Sequence, residues 1–580
     1  MIMKKVAALL TIASVIFAVY FTQTQTGTIP VSNSAPEALT LPSPDQPPAP
    51  VSEQGVQSTS PLAPDPNPPR PISPPPNETP AEVAVGAVLG GKLFSELTPG
   101  DFQKVEYLFF PNGKVSNIEA VNNCKNLKTL KLSDNRVRDL YPLSGLSKLA
   151  SLKLGDNKID DLRPLSGMEN LRELELNNNN ISTVQPLDEL ADLEVLDLRG
   201  NDIRDISPLS KCENLITLNL SDNKIQKIEP LSQLLRLRNL SLQNNRINDV
   251  SSISLLRSLI NLDISYNRGI SHPSLQRLGG LSKLMVFRYT GNGLTDIKVI
   301  DQLPQLKELY LGGSVFSNIR SLAKMKQLEK LGLSDNPHIT DISALEGLTK
   351  LTLLTVNNNK ALQNINVLSG LTNLKELGLS GIGLSDIGAL RNLKKLIRLD
   401  ASKNQLGDVR VLTGLTALEE LGLAENKVSD LSFLAGLANL RTLDLSGNQF
   451  SDAQLVHLAT QTKLKILKLN GNNISSIQAL ASLNKLEYLH LSNNSLSDLS
   501  PLYKLENIRT VYLANNPQLT KSKIQNLQNA LLEVRINSIK RSNPGASEEK
   551  LRDLIARSAK PRIEYSLTSR GGRPRFRGQR

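Results

Sequence analysis

Residues 127–146, LKTLKLSDNRVRDLYPLSGL, form the stretch that decides the fold, because close variants of it recur about every 22 residues along most of the chain. The spacing of its apolar residues fits neither one long helix nor one long strand. We interpret it as one turn of a coil, with a short strand around Leu130, a bend at Asn135 and a return past Pro142 to Leu146. One turn cannot bury its own leucines, so it must stack on the turns before and after it.

An asparagine recurs at the bend of most of the roughly nineteen turns. Its side chain both donates and accepts hydrogen bonds, so it can satisfy the backbone groups left open where each strand ends. The first members of this predicted ladder are Asn135, Asn157, Asn179, Asn201, Asn223 and Asn245. Ile382 replaces the asparagine in one turn, where we expect a local weak point. The longer steps from Asn267 to Asn292 and from Asn448 to Asn472 predict a helical turn on the outer face.

The segments on either side of the repeats differ from them in composition. The sequence predicts a signal peptide or N-terminal signal anchor at 1–27, a proline-rich disordered linker at 28–83, an N-terminal cap with the first strand at 84–112, the repeats at 113–518, a C-terminal cap at 519–545, and a short helix with a basic disordered tail at 546–580. Caps are expected because the end turns of a stack would otherwise expose their leucines to water. Residues 521–536 are predicted to form a closing helix and a last strand, and Ser547 to begin the second helix.

The N-terminal segment has the pattern of an export signal. Lys4 and Lys5 precede an uncharged apolar run from Val6 to Phe21, and no small-x-small cleavage motif follows. This favours an uncleaved membrane anchor over a cleaved signal. Seventeen prolines between Pro30 and Pro80 would then form an extended tether. We therefore expect an exported chain, anchored in the membrane through its N-terminus and facing the periplasm or the cell exterior, with secretion as the alternative.

The net charge of +12 is concentrated at the C-terminal end. Residues 534–580 carry thirteen Lys or Arg against four Asp or Glu, so the array itself is nearly balanced. This distribution does not favour nucleic acid as the partner of the repeats. The tail contains Arg570, Arg573, Arg575, Arg577 and Arg580. On an exported chain these arginines favour an anionic envelope component, although RNA or DNA binding and a simply solvated tail remain open.

Residues suited to catalysis or metal binding are few and scattered. Cys124 and Cys212 hold equivalent positions four turns apart, roughly 19 Å at the usual strand spacing. A disulfide needs Cα atoms within about 7 Å, so they cannot pair within one array. The four histidines show no metal-ligand spacing, and neither cysteine has a histidine on an adjacent turn. We expect no catalytic site, no metal and no cofactor.

The repeats resemble a known family. The pattern LxxLxxLxLxxNxIxDIxPL, seen in LSKCENLITLNLSDNKIQKIEPL and LYKLENIRTVYLANNPQL, is similar to the 22-residue class of leucine-rich repeats found in bacterial internalins and in a eukaryotic regulator of type-1 protein phosphatase. The resemblance implies an α/β repeat solenoid, a curved array with a concave parallel β-sheet, an outer face of 3₁₀ turns or short helices, and protein binding on the concave side. The chain departs from surface internalins in showing neither a sorting motif nor an immunoglobulin-like domain after the repeats.

Side chains on the concave face are the candidate contact residues. In a strand such as residues 130–132, the leucines point into the stack and the residue between them points outward. Because interface hot spots favour Tyr, Trp and Arg, the first candidates are Tyr488, His490 and Tyr512, and the second are Tyr107 and Phe109. Two further pairs of outward residues are candidates. Lys131 and Lys153 form a basic step on adjacent turns, and Glu175 and Asp197 form an acidic step on the next two turns.

These features together predict a non-enzymatic, envelope-anchored binding protein whose concave sheet engages a protein or peptide. The alternative is a cytosolic scaffold or phosphatase-type regulatory subunit, which would require another role for the hydrophobic N-terminus. An enzyme is a third hypothesis, and it would require clustered acidic residues with strongly shifted pKa values on the concave face.

Overall fold

The computed structural model describes residues 79–89, 91, 93–110, 113, 115–557 and 562–565, all within the second of two compact units, Pro75–Arg580. The predicted export segment, nearly all of the proline-rich linker and the five arginines of the tail lie outside the described residues. Within those residues, none of the helices combines the length and the apolar character needed to cross a bilayer.

The strands of the described residues form a single parallel sheet. It has twenty strands of three residues each, and each strand pairs with the next one along the sequence. The register is constant, so that Leu130 faces Leu108 on one side and Leu152 on the other. The strands are β1 Tyr107–Phe109, β2 Thr129–Lys131, β3 Ser151–Lys153, β4 Glu173–Glu175, β5 Val195–Asp197, β6 Thr217–Asn219, β7 Asn239–Ser241, β8 Asn261–Asp263, β9 Val286–Arg288, β10 Glu308–Tyr310, β11 Lys330–Gly332, β12 Leu353–Thr355, β13 Glu376–Gly378, β14 Arg398–Asp400, β15 Glu420–Gly422, β16 Thr442–Asp444, β17 Ile466–Lys468, β18 Tyr488–His490, β19 Thr510–Tyr512 and β20 Arg562–Glu564. This is the predicted repeat solenoid.

The outer face consists mainly of 3₁₀ segments of three to five residues. A proline at the start of many of them suits the helical φ and needs no amide partner. In the Tyr141–Leu143 segment, the carboxylate of Asp139 also accepts a hydrogen bond from the Tyr141 amide at 2.9 Å. The two long repeats carry longer segments, as predicted: a short α-helix, His272–Gln276, and a nine-residue 3₁₀ helix, Asp452–Thr460.

The core is one continuous column of leucines, supplemented by isoleucine and valine. In the repeat that decides the fold, Leu130, Leu140, Leu143 and Leu146 are all 0–1% exposed. Side-chain burial of this extent contributes roughly 1.5–3 kcal/mol per leucine. Every repeat therefore depends on its neighbours, as the spacing predicts.

The asparagine ladder forms at the bends. Asn157 Oδ1 accepts from the Val137 amide of the preceding turn at 2.9 Å, and its Nδ2 donates to the Leu154 carbonyl at 3.0 Å. The equivalent pair of bonds is made by Asn135, Asn179, Asn201, Asn223 and Asn245. The residue just before the bend adopts a left-handed conformation, with φ of 58° at Asp134, for example. This explains why Asp, Asn or Gly precedes the asparagine in most turns.

A second asparagine ladder, not predicted from the sequence, lies at the opposite corner of the turn. Each member donates its Nδ2 to a carbonyl of the preceding turn, as Asn170 does to Ser147 at 2.9 Å. The others are Asn126, Asn214, Asn373, Asn439 and Asn507. Adjacent turns are therefore joined at both ends of the strand.

The N-terminal cap begins earlier than the sequence suggested. Helix α1, Pro80–Val88, starts inside the segment 28–83 that was assigned to the linker. The hydroxyl of Thr79 and the carboxylate of Glu82 form a capping box, and Pro80 occupies the first helical position, where it needs no amide bond. A second helix, α2, Pro99–Phe102, and the 3₁₀ segment Phe94–Glu96 complete this end.

The C-terminal cap differs from the prediction in its last strand. After α3, His272–Gln276, the next helix is α4, which runs unbroken through Lys521–Ser542 and so includes the residues expected to form a strand. Helix α5, Glu548–Arg557, follows, and the Ser547 hydroxyl accepts from the Lys550 amide as expected at its start. The closing strand is β20, within the segment assigned to a disordered tail, and it pairs with β19.

Candidate binding surface

The first and third residues of each strand point away from the core and form the surface that we call the strand face. In β2, Leu130 is fully buried whereas Thr129 and Lys131 are partly exposed. The pattern is repeated along the sheet because each strand aligns with the next without a shift. The strand face therefore consists of two columns of side chains. Within each column, successive side chains are about 4.8 Å apart, which is the spacing of neighbouring strands.

The first strand presents two of the most exposed aromatic side chains of the described residues. Tyr107 is 47% exposed and Phe109 is 53% exposed. The Nζ atom of Lys131 lies 5.6 Å from the centre of the Tyr107 ring, a cation–π distance. These three predicted residues therefore form one continuous patch at the N-terminal end.

Lys153 and Glu175 lie in an ion-pair network that also includes Glu173, which the sequence reasoning did not select. The Lys153 ammonium contacts both carboxylates, and Ser151 Oγ donates to Glu173 at 2.6 Å. Burial opposes the charge of Lys153, but the two carboxylates outweigh it and raise the pKa of the ammonium. These charges satisfy one another, so they offer a partner less than the sequence suggested.

Asp197 continues this column on β5. Burial, reinforced by the Glu175 carboxylate, raises the pKa of its carboxyl to about 6, against the lowering effect of a hydrogen bond from the Arg199 amide. Asp263, three strands further on, is 2% exposed, and burial raises the pKa of its carboxyl as well. The acidic step is therefore partly desolvated rather than freely charged.

A groove across strands β12–β16 was not predicted from the sequence. It encloses about 300 Å³. Its floor includes Gly378 and Gly422, where a Cβ atom would come within 3 Å of a neighbouring side chain. Arg398 crosses it and contacts Glu376 at 2.7 Å and Glu420 at 3.0 Å. The alternation of charge at the first strand position, through Glu376, Arg398 and Glu420, is the sequence signal that could have indicated it.

The structure brings together the three residues predicted first. The ring centres of Tyr488 and Tyr512 are 5.3 Å apart, and those of His490 and Tyr512 are 5.0 Å apart. Burial and the neighbouring Lys468 lower the pKa of the His490 imidazole, while burial raises the pKa of Tyr488 to about 12. The patch is therefore neutral and aromatic at neutral pH, a suitable surface for apolar, aromatic or cationic groups.

The C-terminal strand borders this aromatic patch. Glu564 on β20 is in register with Tyr512 on β19, which places its carboxylate beside the rings. Glu564 is also paired with Arg562 of the same strand. Because β20 lies outside the repeat pattern, no feature of the sequence predicts that an acidic residue borders the patch.

No arrangement suited to metal or thiol chemistry occurs in the described part of the chain. No three His, Cys, Asp or Glu side chains there are grouped to hold a metal ion. Cys124 and Cys212 are both buried free thiols, and burial raises the pKa of each to about 11. Both thiols are therefore protonated at neutral pH.

Two family models match the chain within the repeats. One, described as leucine-rich repeats in two copies, matches residues 191–233, 416–458, 462–504 and 484–529, and a second leucine-rich-repeat model matches 147–203. The chain is a leucine-rich-repeat protein. Its resemblance to bacterial internalins also appears among solved structures, and none of the curated protein sequences matches it.

Three of the similar structures illustrate the range. The leucine-rich-repeat ectodomain of the plant membrane receptor kinase GASSHO1/SCHENGEN3 from Arabidopsis thaliana, solved in complex with CASPARIAN STRIP INTEGRITY FACTOR 2, is 23% identical, with 70% of this chain and 52% of that chain covered and a TM-score of 0.53. An internalin from Listeria monocytogenes is 24% identical, with 71% and 94% covered and a TM-score of 0.36. A leucine-rich-repeat protein of Leptospira interrogans is 23% identical, with 73% and 98% covered and a TM-score of 0.44. At these identities the likeness extends to the fold alone.

Proposed function

We propose that this leucine-rich-repeat protein is a non-enzymatic, envelope-anchored binding protein that engages a protein or peptide on its strand face. The observation that carries the proposal is the strand face itself: two continuous columns of outward side chains on twenty aligned strands, with aromatic groups collected at both ends. Leucine-rich repeats typically serve as protein-interaction modules, which supports this use of the surface. A long array can contact an extended partner along many strands at once.

The placement of the protein rests on its N-terminal sequence. Two lysines followed by an apolar run favour export and anchoring, and the proline-rich segment would hold the array away from the membrane. Fractionation of cells that express the full chain tests this proposal. The protein should remain with the membranes after washing with high salt and with alkaline carbonate. Recovery in the soluble cytosolic fraction would contradict the anchor.

The C-terminal aromatic patch gives the most direct test of binding. The double variant Tyr488→Ser, Tyr512→Ser removes both rings from the strand face, whereas Tyr141→Ser removes a ring that is 58% exposed on the outer face. Partners would be cross-linked to the full chain in intact cells, and the affinity of a recovered partner measured for each variant. Loss of two partly exposed aromatic contact rings should weaken binding at least about tenfold.

The outer-face variant is the control in this experiment. It should bind as the unmodified chain does, because Tyr141 lies on the opposite side of the turn from the strands. Unchanged binding by the double variant, or equal weakening by Tyr141→Ser, would contradict the assignment of the aromatic patch to the partner surface.

A further inference from the structure

We propose that strands β13–β19 of the strand face bind an arginine-rich peptide, and that the chain's own C-terminal segment, residues 566–580, is its occupant. The inference rests on the proposed use of the strand face as a binding surface, and it specifies the chemistry of one ligand. Three observations carry it: the charge of the groove, the position at which the described chain ends, and the aromatic patch between the two.

The groove has an excess of negative charge. The outward positions of β13–β16 carry the carboxylates of Glu376, Asp400, Glu420 and Asp444 against the single guanidinium of Arg398, a net charge of −3. Asp400 and Glu420 are exposed. Arg398 is shared between Glu376 and Glu420, so it neutralises only part of this charge. A cationic ligand would therefore be attracted to this part of the sheet.

The floor of the groove leaves room for long side chains. Gly378 and Gly422 alternate with Asp400 and Asp444 at the third strand position and carry no side chain, and about 300 Å³ is open above this floor. A guanidinium is planar and carries five donors, so it can contact carboxylates in pairs. An arginine laid between Asp400 and Glu420 would find acceptors on both sides.

The segment 566–580, SLTSRGGRPRFRGQR, has complementary chemistry. It contains five arginines and no acidic residue, together with glycines and one proline that disfavour a competing helix. Its charge of +5 is therefore opposite in sign to that of the groove. The described chain ends at Tyr565, directly after β20, on the same sheet as the groove.

The distance to be covered fits the length of the segment. Six strand steps separate β20 from β14, which is roughly 29 Å at the usual spacing. An extended chain covers about 3.3 Å per residue, so roughly nine residues span this distance. The fifteen residues that follow Tyr565 therefore suffice to bring Arg575 and Arg577 over the groove.

The route from β20 to the groove crosses the aromatic patch. Tyr488, His490 and Tyr512 lie on β18 and β19, so the segment crosses their rings first. Arg570, its first arginine, follows within side-chain reach of these rings, where cation–π contact is favourable. Lys468 on β17, a cation along this route, is paired with Asp444 at 3.2 Å and offsets part of the negative charge of the groove. The path from β20 therefore reaches the aromatic patch first and the acidic groove second. Arg570 would contact the aromatic patch, and Arg575 and Arg577 would contact the groove.

A probe peptide measures occupancy directly. The probe is a fluorescein-labelled peptide with the sequence of residues 566–580, and its binding is followed by fluorescence anisotropy at 50 and 300 mM NaCl. The test protein is the full chain with Arg570, Arg573, Arg575, Arg577 and Arg580 all replaced by glutamine. This variant should bind the probe, and binding should weaken at the higher salt concentration.

The unmodified chain should bind the same probe at least about tenfold more weakly, because a short tether gives its own tail a millimolar effective concentration. In the glutamine background, the triple variant Asp400→Asn, Glu420→Gln, Asp444→Asn should lose probe binding. A matched triple variant, Glu169→Gln, Glu213→Gln, Glu346→Gln, changes three exposed acids on the outer turns and should retain it. Circular dichroism confirms that each variant is folded.

Several outcomes would overturn the inference: no probe binding by the glutamine variant, equal binding by that variant and the unmodified chain, or equal loss in both triple variants. A difference that grows with protein concentration would assign the tail to a second copy and would also overturn it. Partner capture by the Tyr488 and Tyr512 variants does not use the probe, so the proposed function and this inference can fail separately.

Discussion

Replacing Asn179 by alanine tests the asparagine ladder, and the structure gives the size of the effect. Asn179 Oδ1 is the acceptor for the buried Ile159 amide at 2.9 Å. Its Nδ2 donates to the Leu154 and Leu176 carbonyls, each at 3.0 Å, but these carbonyls also receive protons from Asn157 and Asn201. Only the Ile159 amide therefore loses its main partner. An unsatisfied buried amide costs about 1–3 kcal/mol, and weakening of the shared bonds adds roughly 1 kcal/mol. We expect a loss of about 2–4 kcal/mol.

Asn170→Ala is the matched control, since it makes the same change nine positions earlier in the same repeat. Asn170 is exposed and makes one bond to the Ser147 carbonyl, so its loss should cost less than about 1 kcal/mol. Urea unfolding followed by circular dichroism compares the two variants, and hydrogen exchange at the Ile159 amide reports the local effect. Equal destabilisation by both changes, or undiminished protection of that amide in Asn179→Ala, would refute the reasoning.

Gly436→Ala should cost about 1–3 kcal/mol in urea unfolding, because its Cβ would lie 2.0 Å from the Thr413 carbonyl oxygen. The same change at the equivalent Gly370, which has open space around it, should cost less than about 0.5 kcal/mol. Asp197→Asn should flatten the pH dependence of stability. The raised pKa means that the folded wild type holds this proton more tightly than the unfolded chain, so wild-type stability falls as pH rises from 3.8 to about 6. Cys212 should react with a thiol reagent at pH 8 only when the chain unfolds, because burial raises its thiol pKa to about 11. Rapid labelling of the folded chain would contradict this.

The sequence predicts the array well because the contacts that fold each repeat lie within that repeat and its two neighbours. Leu130 packs, and Asn135 forms its hydrogen bonds, within one turn and between adjacent turns, so the local pattern is sufficient to place them. The longer step after Asn267 likewise predicted extra outer helix, and α3 lies there. Regular stacking then fixes the strand register without any distant contact.

The ends of the array were harder to predict because their structure depends on contacts outside the repeat pattern. The closing strand β20 is added to β19 only after two helices have intervened, and its sequence has no leucine-rich signature. The first half of α4 packs against the core through Ile524, Leu527 and Leu531, and Arg541 in its last turn pairs with Glu506 of the last repeat. The start of α1 was assigned to the linker because the preceding segment is rich in proline, although Pro80 itself favours the first turn of this helix.

Candidate binding residues were predicted best where residue type and strand position were sufficient. Tyr488, His490 and Tyr512 were selected because interface hot spots favour Tyr and because all three lie on outward positions of adjacent strands, and their rings lie in contact. The groove could not be recognised from one strand position, since Glu376, Arg398 and Glu420 stand at the first position whereas its two glycines and two aspartates stand at the third. At Lys153 the sequence overestimated the charge that is available to a partner. Its ammonium is paired with the carboxylates of Glu173 and Glu175, which the sequence presents as separate charges.

The turn at Ile382 shows why the ladder tolerates an interruption. Asn404 Oδ1 accepts from both the Ile382 amide at 3.2 Å and the Leu384 amide at 3.0 Å. The Val356 and Leu379 carbonyls still receive protons from Asn359 and Asn404, respectively. Ile382 itself is 2% exposed, so apolar burial of roughly 2–3 kcal/mol offsets the missing amide contacts. The weakness expected at this turn is therefore limited, because each bend shares its hydrogen bonds with the bends beside it and a single missing asparagine leaves every one of these carbonyls with a donor.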